Sequence, residues 1–305
     1  MSRYAISGVA GFLGSHLARR LTADGHEVAG VDKVYPASAT RLAGIPLAEY
    51  HWGDAGEAVL RIHPVDAIIH CASITNIGYS WANTEESTLV MTLPLIKILQ
   101  AMQLGWAKKL ILISTHSVYG RSTGHPFTET DPTAPTNPYG VLKLFQEQMA
   151  LAYARTFGLP VTVLRMALMY GENEREDATP RRFLEMALRG ETIRLEGGGK
   201  STRDFNYVQN AVDAIEAALL RPIPNAEVYN IGGGEDISIR QLAETAIAFA
   251  ERGSTIDVPE RPGEEGNIRL SYRKAAYDLA YSPQVNFEEG FRRAAEWAAQ
   301  NWRRE

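Results

Sequence analysis

The sequence predicts an α/β protein with a doubly wound parallel sheet and a smaller α/β domain toward its carboxyl end. The chain opens with a short apolar strand, a glycine-rich turn and an amphipathic helix within residues 3–24. Further apolar runs alternate with segments of helical periodicity as far as residue 231, which is the order of βαβ units. Polar residues follow several of these runs directly, at the strand ends where such sheets bind ligands.

The first turn has the glycine spacing of a dinucleotide-binding loop. Gly8 permits a tight turn, Gly11 lets the backbone approach a pyrophosphate, and Gly14 lets helix and strand pack closely. The free N–H groups at the start of the helix, where Phe12 and Leu13 lie, then face the anion. The strand before the turn and the helix after it favour a dinucleotide site over a turn without a ligand.

A second predicted strand, 27–31, ends at Asp32, roughly 20 residues beyond the glycine turn. A carboxylate at this point accepts both ribose hydroxyls of an adenosine and repels a 2′-phosphate, so the sequence predicts NAD. The neighbouring Lys33 leaves NADP as the alternative. Asp54 follows a short strand predicted over 48–52, and it either reaches the adenine edge or belongs to a surface turn.

The middle of the chain predicts two more buried strands and a long helix. The strand over 65–71 is followed by Ala72 and Ser73, small residues that let the cofactor lie against the strand end. A helix is predicted over 84–104, with Pro94 as a local defect. The strand over 110–113 leads into a polar run, which the topology places in the site.

The next helix carries a tyrosine and a lysine on one face. Asn137 caps its start, Gly158 ends it, and Tyr139 and Lys143 are four residues apart. An ammonium beside a phenol lowers the phenol's pKa from about 10 toward the range of a general base. The pair alone is common on solvated helix surfaces, but the dinucleotide fold and the preceding Thr115 favour a catalytic role.

The remaining elements suggest that the chain crosses between two domains more than once. The predicted elements are a strand at 159–165, a helix at 180–189, a loop from Leu195 through 199 followed by the segment 202–208, a helix at 210–220, a strand at 226–231 that returns to the sheet, and helices at 239–251 and 287–302. We predict that residues 1–171 and 202–234 bind the cofactor. Residues 172–201 and 235–305 are predicted to bind the substrate.

Composition excludes several other classes of protein. The chain is 45% hydrophobic and 22% charged, which is ordinary for a globular domain. A net charge of −5 and a pI near 5.9 predict neither nucleic acid nor an anionic membrane as a partner. The single cysteine, Cys71, excludes internal disulfides, and we expect a buried thiol in a cytoplasmic protein. We predict no metal site, and no run approaches the roughly 18 apolar residues of a membrane helix.

Six motifs follow one another along nearly the whole chain. They are GVAGFLG at 8–14, STHSVYG at 114–120, PYGVLK at 138–143, RDFNYV at 203–208, NIGGG at 230–234 and RPGEEG at 261–266. Together they resemble the extended short-chain dehydrogenases/reductases, specifically the NAD-dependent sugar-nucleotide epimerases and dehydratases such as the UDP-glucose 4-epimerases. The resemblance implies a Rossmann-type fold.

The resemblance also implies a set of site residues. The family's catalytic positions fall on Thr115, Tyr139 and Lys143, with the lysine holding the cofactor ribose. Arg203 and Arg261 match positions that hold a nucleotide diphosphate, and a further match lies at Glu264, where an acid commonly meets the nucleotide ribose.

Several positions depart from the family pattern. The dehydratases carry an acid pair where this chain has His116 and Ser117, which disfavours elimination. His116 is either a replacement acid/base or a structural histidine. The family usually has asparagine at the positions of Leu168 and Met91, and an acid at that of Gln209. These three departures leave open which diphosphate is bound, and whether the substrate is a nucleotide sugar.

The sequence thus predicts an epimerase of a nucleotide-diphosphate sugar that inverts carbon 4 through a transient keto sugar. The alternatives are an NAD(P)-dependent ketoreductase or sugar dehydrogenase with the same three residues, and a non-catalytic NAD sensor. A homodimer is expected through the helices predicted at 84–104 and 137–158, since both have more apolar surface than packing on a sheet requires, and relatives pair these helices into a four-helix bundle.

Overall fold

The computed structural model describes residues 1–62, 64–122, 124–222, 225–259 and 266–301. Two predicted substrate residues, Arg261 and Glu264, lie outside the described residues.

Strands and helices alternate through most of the chain. The strands are β1 (Arg3–Ser7), β2 (Glu27–Asp32), β3 (Glu49–Trp52), β4 (Ala67–His70), β5 (Leu110–Thr115), β6 (Val161–Met166), β7 (Leu168–Tyr170), β8 (Thr192–Glu196), β9 (Thr202–Arg203), β10 (Phe205–Tyr207), β11 (Glu227–Ile231), β12 (Ile237–Ser238) and β13 (Ser254–Val258). The helices are α1 (Phe12–Ala23), α2 (Ala55–Ala58), α3 (Ile77–Ala82), α4 (Thr84–Gln103), α5 (Pro138–Phe157), α6 (Thr179–Leu188), α7 (Val208–Leu220), α8 (Ile239–Ala250), α9 (Arg273–Leu279) and α10 (Phe287–Asn301).

Seven parallel strands form the main sheet in the order β11-β6-β5-β4-β1-β2-β3. Successive residues of a strand face opposite sides, so Ile69 packs in a cluster with α1 and α7, while Ile68 packs with α2, α4 and α5. This arrangement is the predicted doubly wound α/β fold, which is therefore confirmed. The strand order reverses at β1 and β4, and ligands of such sheets bind in the crevice at that point.

The chain returns to the main sheet late in the sequence. The edge strand β11 pairs in parallel with β6, with Asn230 opposite Arg165, as the apolar run at 226–231 predicts. The segments between them contribute β7 to β10, α6 and α7. The division into a cofactor domain and a substrate domain stays a prediction.

The helix α5 begins where its sequence predicts. The side chain of Asn137 accepts a hydrogen bond from the Gly140 N–H at 2.9 Å, and Pro138 occupies the first helical position. The helix ends at Gly158, whose φ of +68° is left-handed. In α4, by contrast, Pro94 is accommodated inside one continuous helix.

One small sheet corrects the sequence analysis. Leu195, predicted to begin a loop, belongs to β8 and is fully buried. This strand pairs in parallel with β13, which lies about sixty residues later and places Asp257 opposite Leu195. Among the helices of the described residues, none combines the length and apolar character that crossing a bilayer requires.

Candidate active site

Three glycines build a tight turn between β1 and α1. Gly8 has φ of +75°, and its N–H donates to the Val31 carbonyl oxygen at 2.8 Å. The N–H of Gly11 donates to the Gly8 carbonyl oxygen at 3.0 Å. A Cβ on Gly8 would lie 2.7 Å from the nitrogen of Ala72, and one on Gly14 would collide with the Gly8 carbonyl oxygen. The turn therefore brings the start of α1 against the ends of β1 and β4, a cradle that fits a pyrophosphate.

The carboxylate of Asp32 lies beside this turn. It accepts hydrogen bonds from the N–H groups of Ala10, at 2.8 Å, and Val34, at 3.0 Å. The neighbouring Lys33 pairs with Asp54 at 3.5 Å, and Asp54 also caps the first turn of α2. Since Lys33 has an anionic partner of its own, Asp32 keeps its negative charge at the cradle, which favours ribose hydroxyls over a 2′-phosphate.

Thr115 and Tyr139 meet at the carboxyl end of β5, where the Thr115 side chain acts on the pKa of Tyr139. Thr115 is the last residue of the strand, and its Oγ1 accepts from the Ser117 N–H at 3.2 Å. A Cβ on Gly140 would lie 2.7 Å from the Ser117 carbonyl oxygen. Glycine at this position thus lets α5 start against the turn after β5, which brings Tyr139 to Thr115.

Lys143 lies one turn further along α5, with its side chain buried against the sheet. Its Nζ donates to the Ile113 carbonyl oxygen at 2.8 Å. Burial lowers the pKa of Lys143 to about 8, although Cys71 and Glu147 oppose the shift. Burial also lowers the pKa of His70 to about 3, with the Lys143 charge adding to the effect. Lys143 is therefore an ammonium at neutral pH, held beneath the end of β5.

The electrostatics of Tyr139 differ from the sequence expectation. Burial raises the pKa of Tyr139, while the Thr115 side chain and the positive charge of Arg175 act in the opposite direction. Lys143 is not among the groups that shift it. Sequence reasoning missed Arg175, because it belongs to a segment between elements and has no periodic pattern.

Arg175 belongs to the segment 171–178, which follows β7 and contacts the residues that follow β4. Its guanidinium donates to the hydroxyl of Thr75, and the Asn76 side chain donates to Asp177 at 2.8 Å. These two contacts place the 171–178 segment over the side of the crevice that holds Tyr139.

The other predicted site residues occupy more peripheral positions. His116 is partly buried in the turn after β5, next to Ser117, which is fully buried. Ser73 follows the end of β4 and is partly exposed. The guanidinium of Arg203 donates to the carbonyl oxygens of Thr202, at 2.9 Å, and Gly266, at 2.6 Å. Both contacts are to backbone oxygens, and the predicted role of Arg203 at a diphosphate stays a prediction.

Comparison with known proteins agrees with this geometry. Residues 4–232 match the model of the NAD dependent epimerase/dehydratase family. The chain belongs to this family. NAD is the cofactor of the family, and the shape of the glycine cradle with the Asp32 carboxylate beside it fits this group.

The similar members of the family carry out more than one reaction. An uncharacterized UDP-glucose epimerase of Bacillus subtilis is 29% identical over 298 residues, covering 93% of this chain and 94% of the relative. A UDP-N-acetyl-alpha-D-glucosaminuronate decarboxylase of Bacillus cytotoxicus is 32% identical, with 97% of each chain covered. The UDP-glucuronic acid 4-epimerase of Bacillus cereus, solved with UDP-glucuronic acid and NAD, has a TM-score of 0.90 and 27% identity, covering 98% of this chain and 100% of that one. The comparisons therefore support an enzyme of this family acting on nucleotide sugars, without selecting the reaction.

Proposed function

We propose that this protein is an NAD-dependent epimerase of a nucleotide-diphosphate sugar, which inverts carbon 4 through a transient 4-keto sugar. The observation that carries the proposal is that Thr115 and Tyr139 meet at the end of β5, with Lys143 buried on the next turn of α5. The same strand ends form the crevice where the glycine cradle lies. A base is thus held where an oxidant binds.

Each residue has a separate task in the proposed cycle. When bound, NAD accepts a hydride from the sugar and returns it. Tyr139 takes the proton of the 4-hydroxyl as the hydride leaves, and it gives the proton back when the opposite face is reduced. Thr115 lies beside Tyr139 and orients that proton transfer. Lys143, held by the Ile113 carbonyl oxygen, places a fixed positive charge beneath the end of β5, where it would hold the cofactor ribose.

Elimination is the weaker proposal because the chain lacks the acids for it. The dehydratases that the sequence resembles carry two acidic residues directly after the Thr115 position. Here those positions hold His116 and Ser117, and Ser117 is buried against Thr115, with the two Oγ atoms 3.3 Å apart. A 4-keto sugar formed in this site would therefore be reduced again rather than dehydrated.

One experiment separates the candidate reactions. The purified protein is incubated with UDP-glucose, UDP-glucuronate and dTDP-glucose, and the sugar products and NADH are measured together. An epimerase yields the carbon-4 epimer without net NADH. A dehydrogenase or ketoreductase changes NADH in proportion to product, a dehydratase yields a 4-keto-6-deoxy sugar, and a sensor gives no turnover; each of these results would overturn the proposal.

The substrate's nucleotide end is the second part of the proposal. We assign the diphosphate to Arg203 and Arg261, and the nucleotide ribose to Glu264, because a guanidinium fork suits phosphate oxygens and a carboxylate suits hydroxyls. Of these residues, the structure describes Arg203, whose guanidinium donates to the Gly266 carbonyl oxygen.

We also propose a homodimer through α4 and α5. Leu89 and Val141 are each 51% exposed, and Leu93 and Phe145 are 47% and 38% exposed, so the two adjacent helices present an apolar surface. The described structure shows one chain, and a second copy would cover this surface.

The dimer proposal predicts a change in mass on substitution. Leu93→Asp combined with Val141→Asp should convert a dimer to a monomer in sedimentation at micromolar concentration, because a buried unpaired carboxylate costs several kcal/mol. Leu220→Asp, at the exposed end of α7, is the matched control and should leave the mass unchanged. A monomeric wild-type protein at that concentration would contradict the proposal.

A further inference from the structure

Glu147 lies on the same face of α5 as the two proposed catalytic residues. Tyr139, Lys143 and Glu147 follow one another at intervals of four residues, and all three are buried. The negative charge of Glu147 acts on Lys143. The proposed reaction gives this carboxylate no task.

The carboxylate binds the ends of two strands. The Arg165 guanidinium donates three hydrogen bonds to it, from Nε to Oε1 at 3.0 Å and to Oε2 at 3.2 Å, and from Nη2 to Oε2 at 2.7 Å. The Ser114 hydroxyl donates to it as well. Ser114 and Arg165 are register partners on β5 and β6. Glu147 therefore ties the two strands together at the residue that immediately precedes Thr115.

The arginine is itself held in place by a buried chain of hydrogen bonds. Its Nη1 donates to the Tyr119 hydroxyl at 2.8 Å, and that hydroxyl donates to the Asn230 side chain at 2.8 Å. Asn230 in turn donates to the Phe127 carbonyl oxygen at 2.9 Å. Because each member has its partner, Glu147 is fixed in one position.

The charges around Lys143 single out this carboxylate. His70 and Cys71 face Lys143 from the end of β4, but burial keeps His70 neutral, with a pKa of about 3, and raises the pKa of the Cys71 thiol to about 12. Glu147 also acts on Lys143, and it is held in an ion pair with Arg165.

We propose that Glu147 is a positioning residue: it fixes the strand end that carries Thr115, and it supplies the negative charge that keeps Lys143 an ammonium. A buried ion pair adds little net stability compared with apolar packing, so stability alone does not account for the presence of the Glu147–Arg165 pair. The effect on rate rests on the proposed function, whereas the effect on the charge of Lys143 does not.

Opposite substitutions in the pair test the electrostatic role. Glu147→Gln keeps the shape of the side chain and removes the anion, so the alkaline limb of the kcat profile should move down by about one pH unit or more. The rate at pH 8 should then fall by about fivefold and recover at lower pH. Arg165→Met removes the cation behind Glu147 and should move the limb up. Arg165→Lys keeps the charge balance and should leave the limb in place.

A second measurement does not need turnover. The free energy of unfolding should rise as pH increases from about 8 toward the ordinary lysine value of 10.5, since the unfolded chain binds more protons there. The Lys143→Met protein lacks this rise and serves as the baseline. The rise in the free energy of unfolding should begin at a lower pH in Glu147→Gln than in the wild type, and at a higher pH in Arg165→Met.

The outcomes distinguish the two proposals. Shifts of opposite sign in the unfolding curves of Glu147→Gln and Arg165→Met support the role of Glu147, even if the protein turns over no nucleotide sugar. A lack of turnover would defeat only the proposed function. If the variants lose stability but neither the kcat profile nor the unfolding curve shifts along the pH axis, the Glu147–Arg165 pair is purely structural and the inference is overturned. If Arg165→Met does not fold, Glu147→Gln and Arg165→Lys still give the comparison.

Discussion

The Tyr139→Phe protein is expected to lose about 100-fold to 10,000-fold in kcat while it still binds NAD. The substitution removes one hydroxyl, the atom that takes the sugar proton, and leaves the aromatic ring in its buried place beside Met91 and Leu142. Burial already raises the pKa of this phenol. The reaction therefore depends on the groups that stabilise the phenolate.

Two further measurements test this prediction. The amount of NAD released from the denatured Tyr139→Phe protein should be close to the amount released from the wild-type protein. Equal amounts would show that the cradle is intact. Thr115→Val should cost less than Tyr139→Phe, because water can partly replace a hydroxyl that only orients the proton. Turnover near the wild-type rate in Tyr139→Phe would refute the assignment of the base.

The main sheet could be predicted because each of its parts has a local pattern. The glycine turn, the Asn137 cap and the left-handed Gly158 are short-range features, and the structure places each as expected. The strand β8 had no such pattern, because its partner β13 lies far along the chain and each strand is short and partly exposed. Pairing of that kind depends on tertiary contact rather than on local propensity.

The site could be predicted only in part for a related reason. Spacing alone places Tyr139 and Lys143 on one face, and the same spacing extended by four residues indicates Glu147. Neither the charge of Arg175 near Tyr139 nor the pairing of Glu147 with Arg165 has a sequence pattern, since both join distant segments. The expected influence of Lys143 on the tyrosine also requires distances that a sequence does not contain.

Lys143→Met is expected to make the protein more stable and far less active. Holding an ammonium in a site that lowers its pKa from 10.5 to about 8 costs about 3 kcal/mol, and the substitution removes this cost. The substitution also removes the hydrogen bond to the Ile113 carbonyl oxygen, which lowers the gain in stability by about 1 kcal/mol. The free energy of unfolding at pH 7 should therefore rise by about 2 kcal/mol. Losing the fixed positive charge should lower kcat by about 100-fold to 1,000-fold.

The pH dependence of Lys143→Met checks the sign of both effects. The cost of burying the ammonium is complete below pH 8 and is relieved as the pH rises through that value, so the stability advantage of Lys143→Met should shrink between pH 8 and 10.5. Wild-type kcat should fall over the same range as Lys143 loses its proton, whereas the variant should partly recover as Tyr139 ionises at high pH. Urea unfolding and initial rates measured across pH 6 to 10.5 give both curves, and a stability difference independent of pH would show that Lys143 is not the group that titrates near 8.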